Sequence, residues 1–67
     1  MSYPKLRGAI REKFGTQEAF AKALGMHPTT LSAKLSGKTD WSRQEIEDAS
    51  RLLELSAETI HSYFFAI

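Results

Sequence analysis

The stretch from Gln17 to Ser36 constrains the fold of this 67-residue chain more than any other part of the sequence. It holds two short runs in which apolar residues recur at the four-residue spacing of one helical face. These residues are Phe20 and Leu24, then Leu31 and Leu35. Gly25 separates the two runs, and glycine adopts the left-handed turn that ends a helix without a Cβ penalty. Ala21 is small enough to let two helices approach closely. The pattern predicts a helix-turn-helix unit.

Signals for three further helices flank this unit, which makes the predicted fold class all-α with five helices. Pro4 suits the opening turn of the first helix. The stretch 42–45 matches a capping box, in which a serine and a glutamate side chain satisfy each other's free amides at the start of the fourth helix. Trp41 before this cap and Ile46 after it fit a hydrophobic staple, so a packing role is expected for Trp41. Ser56 can cap a short fifth helix.

Composition limits the class of protein. The chain has no cysteine, 42% hydrophobic residues and 25% charged residues, which fits a globular domain without disulfides or thiolate metal sites. No apolar run approaches the roughly 20 residues that span a bilayer, and the N-terminus lacks the apolar stretch of a signal peptide. We therefore expect one cytoplasmic domain over residues 1–67 that does not associate with membranes.

Residue patterns for catalysis are absent from the sequence. There is no Gly-x-Ser-x-Gly elbow, no cysteine nucleophile and no His-Glu-x-x-His pair. His27 and His61 stand far apart, without a carboxylate at ligand spacing, and His27 is better placed to cap the third helix. The four glycines are isolated, so no phosphate-binding loop is expected. We expect no catalytic residue, metal site, cofactor or small-molecule ligand.

Charge is divided unevenly along the chain. Residues 1–43 carry eight Lys or Arg against three Asp or Glu, a net charge of +5, and residues 44–67 carry one against five, a net charge of −4. A basic half that includes the helix-turn-helix is compatible with binding to nucleic-acid phosphates.

Within the helix-turn-helix, the residues Gln17-Glu18, Ala21, Gly25-Met26 and Thr30-Leu31-Ser32 resemble the corresponding motif of phage repressor and Cro-type (XRE-like) regulators. The resemblance is tightest over Gln17–Ser36 and looser over the rest of the chain. One departure is that the family usually has an apolar residue where this chain has Lys34. The resemblance implies a repressor-like domain, associated with the nucleoid, that binds double-stranded DNA.

In such a domain the third helix enters the major groove. With Leu31 and Leu35 turned inward, a face of small and hydroxyl side chains is turned outward, and these residues are the candidates for reading bases. They are Thr29, Thr30, Ser32, Ala33 and Ser36. Gln17 matches a family position that contacts the DNA backbone. The other candidates for phosphate contact are Lys34, Lys38 and Arg43.

The function expected from the sequence is transcriptional regulation by occupancy of a DNA site, as in a phage or prophage repressor. Two alternatives stay open: a protein-interaction module, antitoxin-like or adaptor-like, that uses the acidic and aromatic C-terminal half, and an accessory factor in DNA processing. The apolar C-terminus predicts that Phe64 packs in the core. Tyr63, Phe65 or Ile67 is then expected to form a weak homodimer contact.

Overall fold

The structure, a computed structural model, describes residues 3–65, and these residues form five helices without a strand. The predicted all-α class with five helices is confirmed. The helices are α1 (Pro4–Phe14), α2 (Gln17–Leu24), α3 (Pro28–Leu35), α4 (Arg43–Leu53) and α5 (Ala57–Phe64). No helix in this part of the chain is long and apolar enough to cross a membrane.

Side chains at the helix starts define most of the boundaries. The Thr16 hydroxyl accepts a hydrogen bond from the amide of Ala19 at 3.1 Å and caps α2. His27 caps α3, because its Nδ1 accepts a hydrogen bond from the Thr29 amide at 3.2 Å. At α4 the predicted capping box is present, with both reciprocal hydrogen bonds formed. The helix starts thus follow from residues that the sequence identifies.

The core is formed by the apolar stripes of all five helices. α2 packs against α1, α3 and α4, and α1 also packs against α4 and α5. The fully buried side chains with the largest volumes are Leu6, Ile10, Phe20, Leu31, Leu35 and Leu53. Phe64 is 3% exposed, which confirms its predicted place in the core. Tyr3, before α1, and Phe65, after α5, line one surface groove, so the beginning and the end of the described chain lie close together.

Candidate functional site: the α3 face and an aromatic groove

The connection between α2 and α3 is a three-residue turn that begins at Gly25. Gly25 has a φ of 75°, in the left-handed region, as a glycine at a helix end allows. The amide of Met26 donates to the carbonyl of Ala21 at 2.9 Å, which closes the end of α2. Ala21 is fully buried, as expected where the two helices approach. This geometry fixes the direction in which α3 leaves α2.

The outer face of α3 contains the candidates for base reading. Thr29, Thr30, Ser32 and Ser36 are exposed and Ala33 is half-buried. The Ser36 hydroxyl donates to the carbonyl of Ala33 at 3.0 Å. The face offers hydroxyl groups and methyl groups and has no long side chain. We call these five residues the α3 face, and base reading by it stays a prediction.

The four candidates for phosphate contact occupy different environments. Gln17 is half-buried at the first position of α2, and Lys38 is exposed in the loop after α3. Arg43 begins α4 with a side chain that is 92% exposed, and its Nε lies 3.6 Å from Glu47 Oε2, so Glu47 partly offsets its charge. Lys38 makes no ion pair with any residue in the range 3–65. Lys38 is therefore the lysine of this set that solvent ions reach most directly.

Lys34 corrects an expectation from the sequence. The residue is only 8% exposed, although phosphate contact requires an accessible ammonium group. Its Nζ lies 2.9 Å from Glu45 Oε1 and donates to the carbonyl oxygen of Asp40 at 2.8 Å. The side chain is directed toward the start of α4 because two acceptors there compensate its charge. Lys34 therefore does not present its charge to a phosphate.

The carboxylate of Glu45 joins this ion pair to the capping box. Glu45 Oε1 also accepts a hydrogen bond from the Ser42 amide at 2.8 Å. Burial by itself raises the pKa of Glu45, but the hydrogen bonds from Ser42 and the charge and hydrogen bond of Lys34 outweigh it. The pKa of Glu45 is consequently lowered from its ordinary value of 4.5. The ion pair stays charged at neutral pH and connects α3 to α4.

A second surface is a shallow groove where the N-terminus, the start of α4 and the end of α5 meet. Its volume is about 350 Å³, and we call it the aromatic groove. It is lined by Tyr3, Asp40, Trp41, Ile46, Phe64 and Phe65. The Trp41 ring packs edge-to-face against Phe64, with centroids 5.2 Å apart, and against Tyr3 at 6.4 Å. The groove thus has an aromatic surface and a single charged residue, Asp40, among the described residues that line it.

Phe65 gives this groove an exposed apolar edge. It is 59% exposed, whereas the other large hydrophobic side chains within residues 3–65 are buried or half-buried. Tyr63, named with it as a homodimer contact, is half-buried, and Ile67 lies outside the described residues. Sequence reasoning assigned Trp41 to packing and missed its place in the groove. The staple of Trp41 with Ile46, next to an apolar C-terminus, was the available signal.

Comparison with known proteins adds a family and a structural relative. A family described as proteins of unknown function, DUF739, matches residues 1–67. The chain belongs to this family. No curated protein matches it. Among solved structures, the chain is similar to the solution structure of the modulator of repression (MOR) of the temperate bacteriophage TP901-1 from Lactococcus lactis, with 45% sequence identity and a TM-score of 0.85. The match covers 96% of this chain and 86% of MOR.

These similarities support part of what the sequence suggested. The five-helix fold is shared with a phage regulatory protein, in agreement with the broad resemblance to phage regulators. Neither comparison names the XRE-like class or DNA binding, so both stay predictions. The relative is a modulator of repression, which agrees better with the protein-interaction alternative than with direct DNA binding.

Proposed function

We propose that this protein modulates repression in a phage or prophage by binding a repressor protein, and that the aromatic groove is the docking surface. The observation that carries the proposal is Phe65, a phenylalanine 59% exposed beside a groove lined by three further aromatic rings. Contiguous exposed apolar surface on a small domain is a common mark of a protein-binding site. The similarity to a modulator of repression supplies the class of partner.

Charge favours a repressor as the occupant of the groove. Asp40 lines the groove, and residues 44–67, which form most of α4 and all of α5, carry a net charge of −4. DNA-binding proteins concentrate Lys and Arg on the surface that contacts DNA. A repressor could therefore insert an apolar side chain into the groove while its basic residues face the acidic half of this chain. Such a contact would compete with DNA for the repressor's basic surface.

Direct DNA binding through the α3 face is the second candidate function. It is supported by the tight turn at Gly25 and by the exposure of Thr29, Thr30, Ser32 and Ser36. Two of the predicted phosphate contacts are less available, because Lys34 is buried in an ion pair and Arg43 is close to Glu47. Gln17 and Lys38 remain as the proposed phosphate contacts, with Arg43 as a weaker third.

Electrophoretic mobility shifts can separate the two functions. In one arm, this protein is titrated into a complex of operator duplex with the repressor from the phage or prophage that encodes this protein. In the other arm, the protein is titrated against the duplex alone at several salt concentrations. We expect it to change the repressor–operator shift at concentrations that give no specific shift without repressor. A specific shift by the protein alone, with no effect on the repressor complex, would contradict the proposal.

Two exposed substitutions make the test reciprocal. Phe65→Ser removes the apolar edge of the aromatic groove, and Thr30→Ala alters the α3 face; both positions are exposed, so the fold should tolerate both changes. If the protein acts by binding repressor through the groove, Phe65→Ser weakens its effect and Thr30→Ala does not. The reverse pattern would assign the function to DNA reading by α3.

A further inference from the structure

The ion pair of Lys34, which is buried, and Glu45, which is half-buried, lies beside the chain segment that carries Trp41. Lys34 Nζ donates to the carbonyl of Asp40 at 2.8 Å, and Glu45 Oε1 accepts from the amide of Ser42 at 2.8 Å. Asp40 and Ser42 are the residues on either side of Trp41. The two members of one ion pair thus hold the peptide groups before and after the tryptophan.

No hydrogen bond of its own fixes the Trp41 side chain. Its indole Nε1 is buried and has no acceptor among the described residues. The ring is therefore oriented by its contacts with Tyr3 and Phe64 and by the position of its backbone. The preceding segment, residues 36–40, is exposed throughout, so few packing contacts are available to place that backbone. The hydrogen bonds from the ion pair supply this restraint.

A partly desolvated ion pair is weak evidence for a gain in stability. Replacing one with apolar side chains of similar size is often neutral or stabilising, because desolvation of the two charges offsets their attraction. An apolar residue at position 34 could fill the space between α3 and α4. It could not donate to the Asp40 carbonyl, which is what the ammonium group of Lys34 does at 2.8 Å. The distinctive contribution of Lys34 is thus its hydrogen bond to the loop.

We infer that the Lys34–Glu45 pair positions the aromatic groove: it holds the backbone on both sides of Trp41 and so fixes the ring between Tyr3 and Phe64. Lys34 and Glu45 are then positioning residues for a surface that they do not themselves line. The inference rests on the proposed function only in treating the groove as the docking surface. It also makes the groove dependent on α3, because Lys34 belongs to that helix.

The single tryptophan of the chain makes the inference measurable without a partner. The test variant is Lys34→Met, which keeps an unbranched apolar stem and loses both polar contacts. Its control is Lys38→Met, the same change at an exposed lysine four residues later. The measurements are acrylamide quenching of Trp41 fluorescence, nuclear Overhauser contacts between the Trp41 and Phe64 rings, and far-ultraviolet circular dichroism for helix content.

For Lys34→Met we expect helix content to be retained, the quenching constant to rise by about twofold as the loop loses local order, and the ring contacts to weaken. Lys38→Met should leave both Trp41 measurements unchanged. If Lys34 contributed only to stability, Lys34→Met could lower the melting temperature but would leave the environment of Trp41 in the folded protein unchanged. A folded Lys34→Met variant with unchanged quenching and ring contacts would overturn the inference.

Loss of Lys34 leaves Glu45 uncompensated, so the double variant Lys34→Met, Glu45→Gln is measured as well. The glutamine oxygen can still accept the Ser42 amide, and no unpaired charge remains. The double variant decides by the same criteria if the single variant does not fold. Repressor affinity is a separate measurement, expected to fall by about tenfold when the groove is no longer preorganised. The Trp41 result can therefore fail while the proposed function stands, and the reverse also holds.

Discussion

Replacing Phe65 with serine tests the docking surface most directly. A phenylalanine side chain offers on the order of 200 Å² for burial, and Phe65 is 59% exposed, so about 120 Å² remains to be covered by a partner. At about 25 cal/mol per Å², complete burial contributes about 3 kcal/mol, and coverage of half the ring contributes about 1.5 kcal/mol. We therefore expect Phe65→Ser to weaken repressor binding by about 10- to 150-fold.

The assay is isothermal titration calorimetry of the repressor with wild type, Phe65→Ser and the control Glu12→Ser, an exposed position on α1. The melting temperature of Phe65→Ser should equal that of wild type, because the ring is outside the core. Equal affinities for wild type and Phe65→Ser would refute the placement of the partner in the groove. Sedimentation of the same samples tests the homodimer contact: a wild-type dimer that Phe65→Ser dissociates, with repressor affinity unchanged, would assign the surface to a second copy.

Three further predictions follow from other parts of the structure. Ala21→Leu should lower the free energy of unfolding by about 1–3 kcal/mol in urea denaturation, since Ala21 is fully buried. The control Ala23→Leu, on the exposed side of α2, should leave it unchanged. Equal effects of the two substitutions would contradict the close approach of the two helices at Ala21. Because the pKa of Glu45 is lowered, its contribution to stability is present above its ordinary pKa of 4.5 and is lost as pH falls below that value. The difference in melting temperature between wild type and Glu45→Gln should thus be full at pH 7 and shrink in acid; a difference that does not change with pH would contradict this contribution. If the α3 face reads DNA, Lys38→Ala should lower the log–log salt slope of DNA binding by about 0.9. Thr30→Ala should instead reduce the preference for one base pair by about 1–3 kcal/mol and leave the slope unchanged. If the two variants have the same effects, α3 is not the helix that reads the bases.

Most of the fold could be predicted because its signals are local. Thr16, Ser42 and Ser56 each cap the helix that follows, and a cap needs only a hydroxyl oxygen within reach of an amide two or three residues later. Gly25 ends α2 for an equally local reason, because glycine adopts the positive φ found there without a Cβ clash. The apolar spacing of four residues then identifies the stripes that the core buries. Each of these inferences depends on a few neighbouring residues.

The environment of Lys34 could not be predicted in the same way. Helical periodicity placed it beside the α3 face, and a lysine there is ordinarily solvated. Its burial depends on Glu45 and on the carbonyl of Asp40, which the loop between α3 and α4 brings within 3 Å. That loop includes Gly37 at a φ of 88°, and the path it takes is a tertiary property. The aromatic groove does not follow from local sequence for a related reason, because Tyr3 and Phe64 line one groove only when α1 packs on α5.

The few accessible cations among the proposed phosphate contacts favour the proposed regulation through another DNA-binding protein. Each phosphate that a protein neutralises contributes about 0.9 to the log–log salt slope, and a protein that makes about 6–10 such contacts binds DNA with a steep salt dependence. Among the proposed phosphate contacts of this chain only Lys38 and Arg43 carry an accessible positive charge, and Arg43 is shared with Glu47. These two contacts supply a slope of about 2 per chain and about 4 per dimer, which is smaller than the slope from about 6–10 contacts. We therefore favour the proposed binding to a repressor, whose own basic residues would provide the contacts to DNA, through the aromatic groove beside the acidic half of this chain.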